Sequence, residues 1–113
     1  LLTLWASPAN PALVVVPTSL LHNWQSEISR FAPHLATVVL HGADRDELHA
    51  QATHSVIVTS YGILMNDRAL FMKREFSLMV LDEASAIRNP DTELALCCFR
   101  MKVRYKLALT GTP

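Results

Sequence analysis

Glycine is scarce in this chain: there are three in 113 residues, Gly42, Gly62 and Gly111. None precedes a lysine and no two lie close together, so G-x-x-x-x-G-K-[ST] and G-x-G-x-x-G are both missing. The segment therefore carries neither a P-loop nor a dinucleotide fingerprint. It also lacks the G-x-S-x-G elbow of serine hydrolases. Cysteine is confined to the adjacent pair Cys97 and Cys98. A bridge between neighbours would be strained, so there is no disulfide framework and the thiols read as buried and reduced. His22, His34, His41, His49 and His54 show no H-x-x-x-H or cysteine-paired spacing, which speaks against a zinc site. An excess of one charge is missing as well, since 10 Lys and Arg balance 10 Asp and Glu. That removes the simplest electrostatic argument for nucleic-acid binding. No apolar run approaches the ~18 residues of a membrane span. No basic, apolar, small-residue leader opens the sequence. These absences predict an intracellular, soluble chain with no membrane partner.

Apolar residues, by contrast, make up 50% of the chain, ample for one buried core. Five short apolar runs recur: Ala12–Val16, Ala36–Leu40, Ser55–Thr59, Ser77–Leu81 and Lys106–Thr110. They are rich in Val, Ile and Leu and lack polar alternation, the pattern of strands buried on both faces. The intervals between them leave room for the helical crossovers that parallel strands need. Thr18 or Ser19 can cap a helix with Leu21, Trp24, Ile28 and Phe31 on one stripe, stopped by Pro33. Trp24 reads as core on that stripe. Asp44 caps a shorter polar segment through Ala52. Ile63 to Arg74 repeats the apolar pattern through Ile63, Leu64, Leu70 and Phe71. Asp91 opens a last helix to about Lys102, whose end carries Arg100, Lys102, Arg104 and Lys106 as a solvated basic helix end or a DNA or partner surface. Strands alternating with helices predict an α/β three-layer sandwich with a mainly parallel sheet of about five strands. Ligands of such sheets bind beyond the carboxyl ends of the strands.

The residues at those ends are polar. Val16-Pro17-Thr18-Ser19 places two hydroxyls beside a helix start, suited either to a phosphate oxygen or to plain capping. Thr59-Ser60-Tyr61-Gly62 repeats the pattern and admits the same two readings. Leu81 is followed by Asp82 and Glu83. Successive side chains diverge there, so one acid can hold a hard cation through water and the other can orient or deprotonate a water. The alternative is a pair of acids favouring a helix N-terminus. Leu109-Thr110-Gly111-Thr112-Pro113 is a strand end followed by a glycine turn.

In order and spacing, four blocks resemble the first RecA-like lobe of Swi/Snf-type ATPases, the DNA translocases and remodellers of helicase superfamily two. Leu13 to Leu21 with Asn23, Trp24 and Glu27 is similar to motif Ia. Val56-Ile57-Val58-Thr59-Ser60-Tyr61 is similar to the block called Ib here. Asp82-Glu83-Ala84-Ser85 with Ile87-Arg88-Asn89 is similar to motif II, and Leu107 to Pro113 to motif III. The resemblance implies an incomplete RecA-like (P-loop NTPase) fold across residues 1–113. It implies that ATP and Mg²⁺ are used, with Asp82 on the Mg²⁺ and Glu83 activating the hydrolytic water. Ser85, Thr110, Gly111 and Thr112 would couple hydrolysis to movement. Thr18, Ser19, Thr59 and Ser60 would lie along the backbone of double-stranded DNA. Implied partners are a second RecA-like lobe of the same parent chain and a DNA-bound protein complex, in chromatin or transcription remodelling. The setting would be a bacterial cytoplasm and nucleoid or a eukaryotic nucleus.

Two positions depart from the family pattern. Ser85 stands where His or Gln is usual, and Arg88 where Lys is commoner. The family's P-loop would precede residue 1, next to an apolar Leu1–Trp5 segment that reads as a helix tail, and its strand would pair with the Lys106–Thr110 run. The chain thus reads as a lobe fragment that hydrolyses no ATP alone. A non-catalytic docking lobe and another superfamily-two helicase are the competing readings.

Overall fold

The computed structural model describes residues 10–42, 54–83 and 92–109. Its centre is β1 (Ala12–Val16), in which every residue is fully buried. A 3-10 turn, Thr18–Leu20, leads into α1 (Leu21–Phe31). Next come β2 (Thr37–Leu40), β3 (Val56–Ser60), α2 (Tyr61–Asn66), α3 (Arg68–Met72), β4 (Glu75–Leu81), α4 (Glu93–Arg100) and β5 (Lys102–Ala108). The five strands form one sheet in the order β2-β3-β1-β4-β5, and every pairing is parallel. The expected sandwich and sheet are thus what the chain adopts.

Strand alternation divides the core between two faces. Leu13, Val15, Ile57, Met79 and Leu81 pack with Leu64, Phe71, Ala95, Cys97 and Cys98 from α2, α3 and α4. Ala12, Val14, Val16, Val56, Val58, Leu78 and Val80 pack with Leu21 and Ile28 of α1. Helices therefore cover both faces, which explains why β1, β3 and β4 carry apolar residues without alternation.

Local signals set the helix ends. The Ser60 hydroxyl accepts from the Ile63 amide at 3.2 Å and caps α2. Thr92 caps α4 by accepting from the Ala95 amide at 3.1 Å. Thr18 and Ser19, in contrast, cap nothing: the turn opens at Pro17, and the Leu20 amide bonds the Pro17 carbonyl at 2.9 Å. Phe31 leaves its expected stripe and is 73% exposed. It is the last residue of α1, beyond the reach of the sheet, and Arg30 lies over its ring at 5.5 Å. The expected Ile63–Arg74 helix is two short ones, broken at the buried Asp67.

The largest revision concerns the end of the chain. α4 stops at Arg100, and β5 begins at Lys102 rather than Lys106. Lys102-Val103-Arg104-Tyr105-Lys106-Leu107 alternates with period two, so its basic residues form one face of an edge strand rather than a helix end. Lys106 still meets a helix terminus, because its Nζ donates to the Phe99 carbonyl at 3.1 Å. Among the described residues no helix is long and apolar enough to cross a membrane. The segments expected at Leu1–Trp5 and Asp44–Ala52, and the expected cap Asp91, lie outside the described residues.

Candidate active site

Because all strands are parallel, β1, β3 and β4 end at one edge of the sheet. Asp82 follows β4 directly, and its amide continues the ladder by donating to the Val15 carbonyl at 2.9 Å. Three more contacts fix it. The Tyr61 hydroxyl donates to the Asp82 carbonyl at 2.6 Å. The Glu83 amide donates to Asp82 Oδ1 at 2.9 Å. Trp24 Nε1–H donates to Asp82 Oδ2 at 2.8 Å, across 58 positions of sequence. The carboxylate is half-buried and held at both oxygens.

Glu83 is held differently. Its φ is +55°, the one positive value among the described non-glycine residues. The left-handed region costs an L-residue about 1–2 kcal/mol, and such strain gathers at functional sites. The turn of the backbone sends Glu83 away from the ladder and leaves it partly exposed. One acid therefore sits pinned and the next sits strained and accessible.

Beside Asp82 is a cavity of about 350 Å³ lined by Leu20, Asn23, Trp24, Glu27 and Asp82. Asn23, Trp24 and Glu27 come from α1, so this helix brings the matched block beginning at Leu13 against Asp82. On the other side, burial first and then the neighbouring Cys98, Asp82 and Glu83 push the Tyr61 phenol well above its ordinary pKa. It stays protonated and remains a donor to the Asp82 carbonyl. Burial, with Cys97 nearby, likewise pushes Cys98 up to about 11, against the pull of Lys106, so it is an inert thiol.

The hydroxyl candidates separate into two kinds. Thr18 and Ser19 are exposed at the end of β1. Thr59 lies inside the sheet. It is 0% exposed, and its Oγ1 donates to the Leu40 carbonyl at 2.9 Å, tying β3 to β2. Ser60 is buried too, its oxygen engaged as the α2 cap. Both hydroxyls are taken up by the fold's own backbone, Thr59 by a carbonyl of β2 and Ser60 by an amide of α2. Ser85, Thr110, Gly111 and Thr112 lie outside the described residues, as does Ile87-Arg88-Asn89. The Trp24 contact was not foreseen, because periodicity placed the ring in the core. The signal that could have revealed it is the indole N–H, which seeks a partner when buried.

A parallel sheet with helices on both faces, and an acid pair beyond the strand beside its centre, is the architecture of a doubly wound α/β ligand-binding lobe. The comparisons resolve it further: residues 5–113 match the SNF2-related domain, and the chain belongs to that family. An uncharacterized ATP-dependent helicase of Mycoplasma pneumoniae is 37% identical over 91% of this chain and 10% of that protein. The chromatin-remodeling ATPase INO80 of Pyricularia oryzae is 40% identical over 91% of this chain and 6% of that protein. The chain thus spans a tenth or less of these relatives. The SWI2/SNF2 ATPase core of Sulfolobus solfataricus, solved in complex with double-stranded DNA, superposes with a TM-score of 0.82 at 38% identity. That match covers 94% of this chain and 22% of the solved one.

Proposed function

We propose that this chain is part of the first lobe of an ATP-driven double-stranded-DNA translocase of the Swi/Snf type. The observation that carries the reading is the Asp82–Glu83 pair: a pinned carboxylate directly followed by an accessible one at the carboxyl edge of the sheet. Its support is the family membership and the likeness to an ATPase core solved on duplex DNA.

In this reading Asp82 would hold Mg²⁺, and Glu83 would orient the water that attacks the terminal phosphate. The donor set fits the ion. Among the described residues no three His, Cys, Asp or Glu side chains cluster as a metal cage. Mg²⁺ is a hard cation usually bound by one or two carboxylates, substrate phosphates and water, so a single fixed aspartate suits it. Bound there, the ion would neutralise charge building up on the phosphates. Glu83 has the partial exposure needed to reach a water, and its strained backbone holds it apart from Asp82. Thr18 and Ser19 are the exposed hydroxyls that would meet the DNA phosphates, contacts that position a strand without reading its bases. ATP, Mg²⁺, the second lobe, a DNA-bound protein target, and the coupling roles of Ser85, Thr110, Gly111 and Thr112 all belong to this proposal.

The test uses the full-length parent chain. ATP turnover is measured without DNA, with duplex and with single-stranded DNA, beside a Glu83→Gln variant. Stimulation by duplex that disappears in the variant is the expected result. Equal background rates in both proteins would overturn the reading in favour of a docking lobe. Stimulation by single strands alone would replace translocation on duplex with strand separation.

A further inference from the structure

We infer that Trp24 is a positioning residue for the Asp82 carboxylate, its indole N–H fixing the orientation in which that carboxylate meets a metal–nucleotide complex. The inference rests on the reading of Asp82 given above. A carboxylate offers about four acceptor sites. Here one on each oxygen is already taken, Oδ1 by the Glu83 amide at 2.9 Å and Oδ2 by Trp24 Nε1 at 2.8 Å. Two donors on two oxygens stop rotation about the Cβ–Cγ bond. One acceptor direction per oxygen remains for a ligand or its water shell.

Trp24 packs against the core on the α1 face and also reaches the carboxylate. It is half-buried while Leu21 and Ile28 of the same helix are buried against the sheet. Its ring forms a wall of the cavity shared with Leu20, Asn23, Glu27 and Asp82. The indole therefore borders the same cavity as the carboxylate while its N–H holds Oδ2. The Asp82 main chain is fixed independently by Tyr61 and Val15, so loss of Trp24 frees the side chain without displacing the strand. Among the described residues the indole is the long-range side-chain donor to the Asp82 carboxylate.

The test again uses the full-length chain, labelled with 5-fluorotryptophan. The Trp24 ¹⁹F resonance is assigned by its loss in Trp24→Phe, or in Trp24→Tyr if the first variant folds poorly. Asp82→Ala should shift that resonance, and the remote Thr92→Ala should leave it in place. Trp24→Phe should raise the Mg²⁺ concentration for half-maximal turnover by roughly 10–100-fold, the usual cost of losing a residue that orients a metal ligand. Saturating Mg²⁺ should restore kcat. A Trp24 resonance unmoved by Asp82→Ala would overturn the proposal. So would a Trp24→Phe defect that lowers kcat at every Mg²⁺ concentration without changing the half-maximal point, since that is a packing effect. If Asp82→Ala leaves the Mg²⁺ dependence of turnover unchanged, the metal role of Asp82 falls and the proposal falls with it. A shifted resonance would in that case still report the contact, so the two failures can be told apart.

Discussion

β3 and β4 both run as buried apolar strands to the same edge of the sheet, and both end in a polar pair. Their fates differ. At the end of β3, Thr59 gives its hydroxyl to the Leu40 carbonyl and Ser60 caps α2. At the end of β4, Asp82 is held by Trp24 and the Glu83 amide with acceptor capacity to spare, and Glu83 takes a strained backbone. One pair has been spent on folding, while the other is held ready at a cost to folding. A polar pair after a buried strand marks a site only when the fold leaves its atoms something to do.

That contrast can be broken by substitution in the full-length chain. The largest effect should come from Glu83→Gln, which removes the base while keeping the shape. Turnover should fall by roughly 10²–10⁴-fold, the usual contribution of a positioned general base, with the unfolding midpoint unchanged. A variant that retained wild-type turnover would place the chemistry elsewhere.

The exposed hydroxyls come next. Thr18→Ala with Ser19→Ala should weaken duplex affinity by roughly fivefold for each hydrogen bond lost, at about 1 kcal/mol apiece. Neither residue caps a helix, so stability should stay within ~0.5 kcal/mol. Fluorescence anisotropy with labelled duplex and urea unfolding would check the two halves.

Thr59→Val and Ser60→Ala should do the reverse. Each should cost about 1 kcal/mol of stability, through a lost buried hydrogen bond and a lost cap, and leave duplex affinity unchanged. A tenfold loss of affinity in either variant at full stability would erase the distinction drawn between the two strand ends. A stability reading sharpens it: Glu83→Gly should lose turnover as Glu83→Gln does yet gain up to about 1 kcal/mol of stability, because glycine tolerates φ near +55° and relieves the left-handed strain. The greater flexibility of unfolded glycine trims that gain.

Much of the fold was legible because interior parallel strands announce themselves. Ala12–Val16 was read with its observed ends, and the runs after it were displaced by one or two residues. The exception is β5, whose first residues alternate between basic and apolar groups. Among the described residues it pairs with β4 alone, and Tyr105 and Leu107 stay 49% and 42% exposed. Its pattern mixes strand and helix-end signals, and only its pairing with β4 resolves them. Thr92 rather than its neighbour capped α4 for a similarly local reason, one residue beyond what composition can fix.

The sequence by itself determined the alternation of strands and helices, the parallel sheet this requires, and the placing of Asp82 and Glu83 just past a buried strand. These follow from periodicities of two and about 3.6 residues, which act between near neighbours. The tertiary structure alone decided the order β2-β3-β1-β4-β5, the burial of Thr59 and Ser60, and the meeting of Trp24 with Asp82. Such contacts join groups far apart in the chain, and which hydroxyl or indole finds which oxygen is settled only when the crossovers have brought strands and helices together.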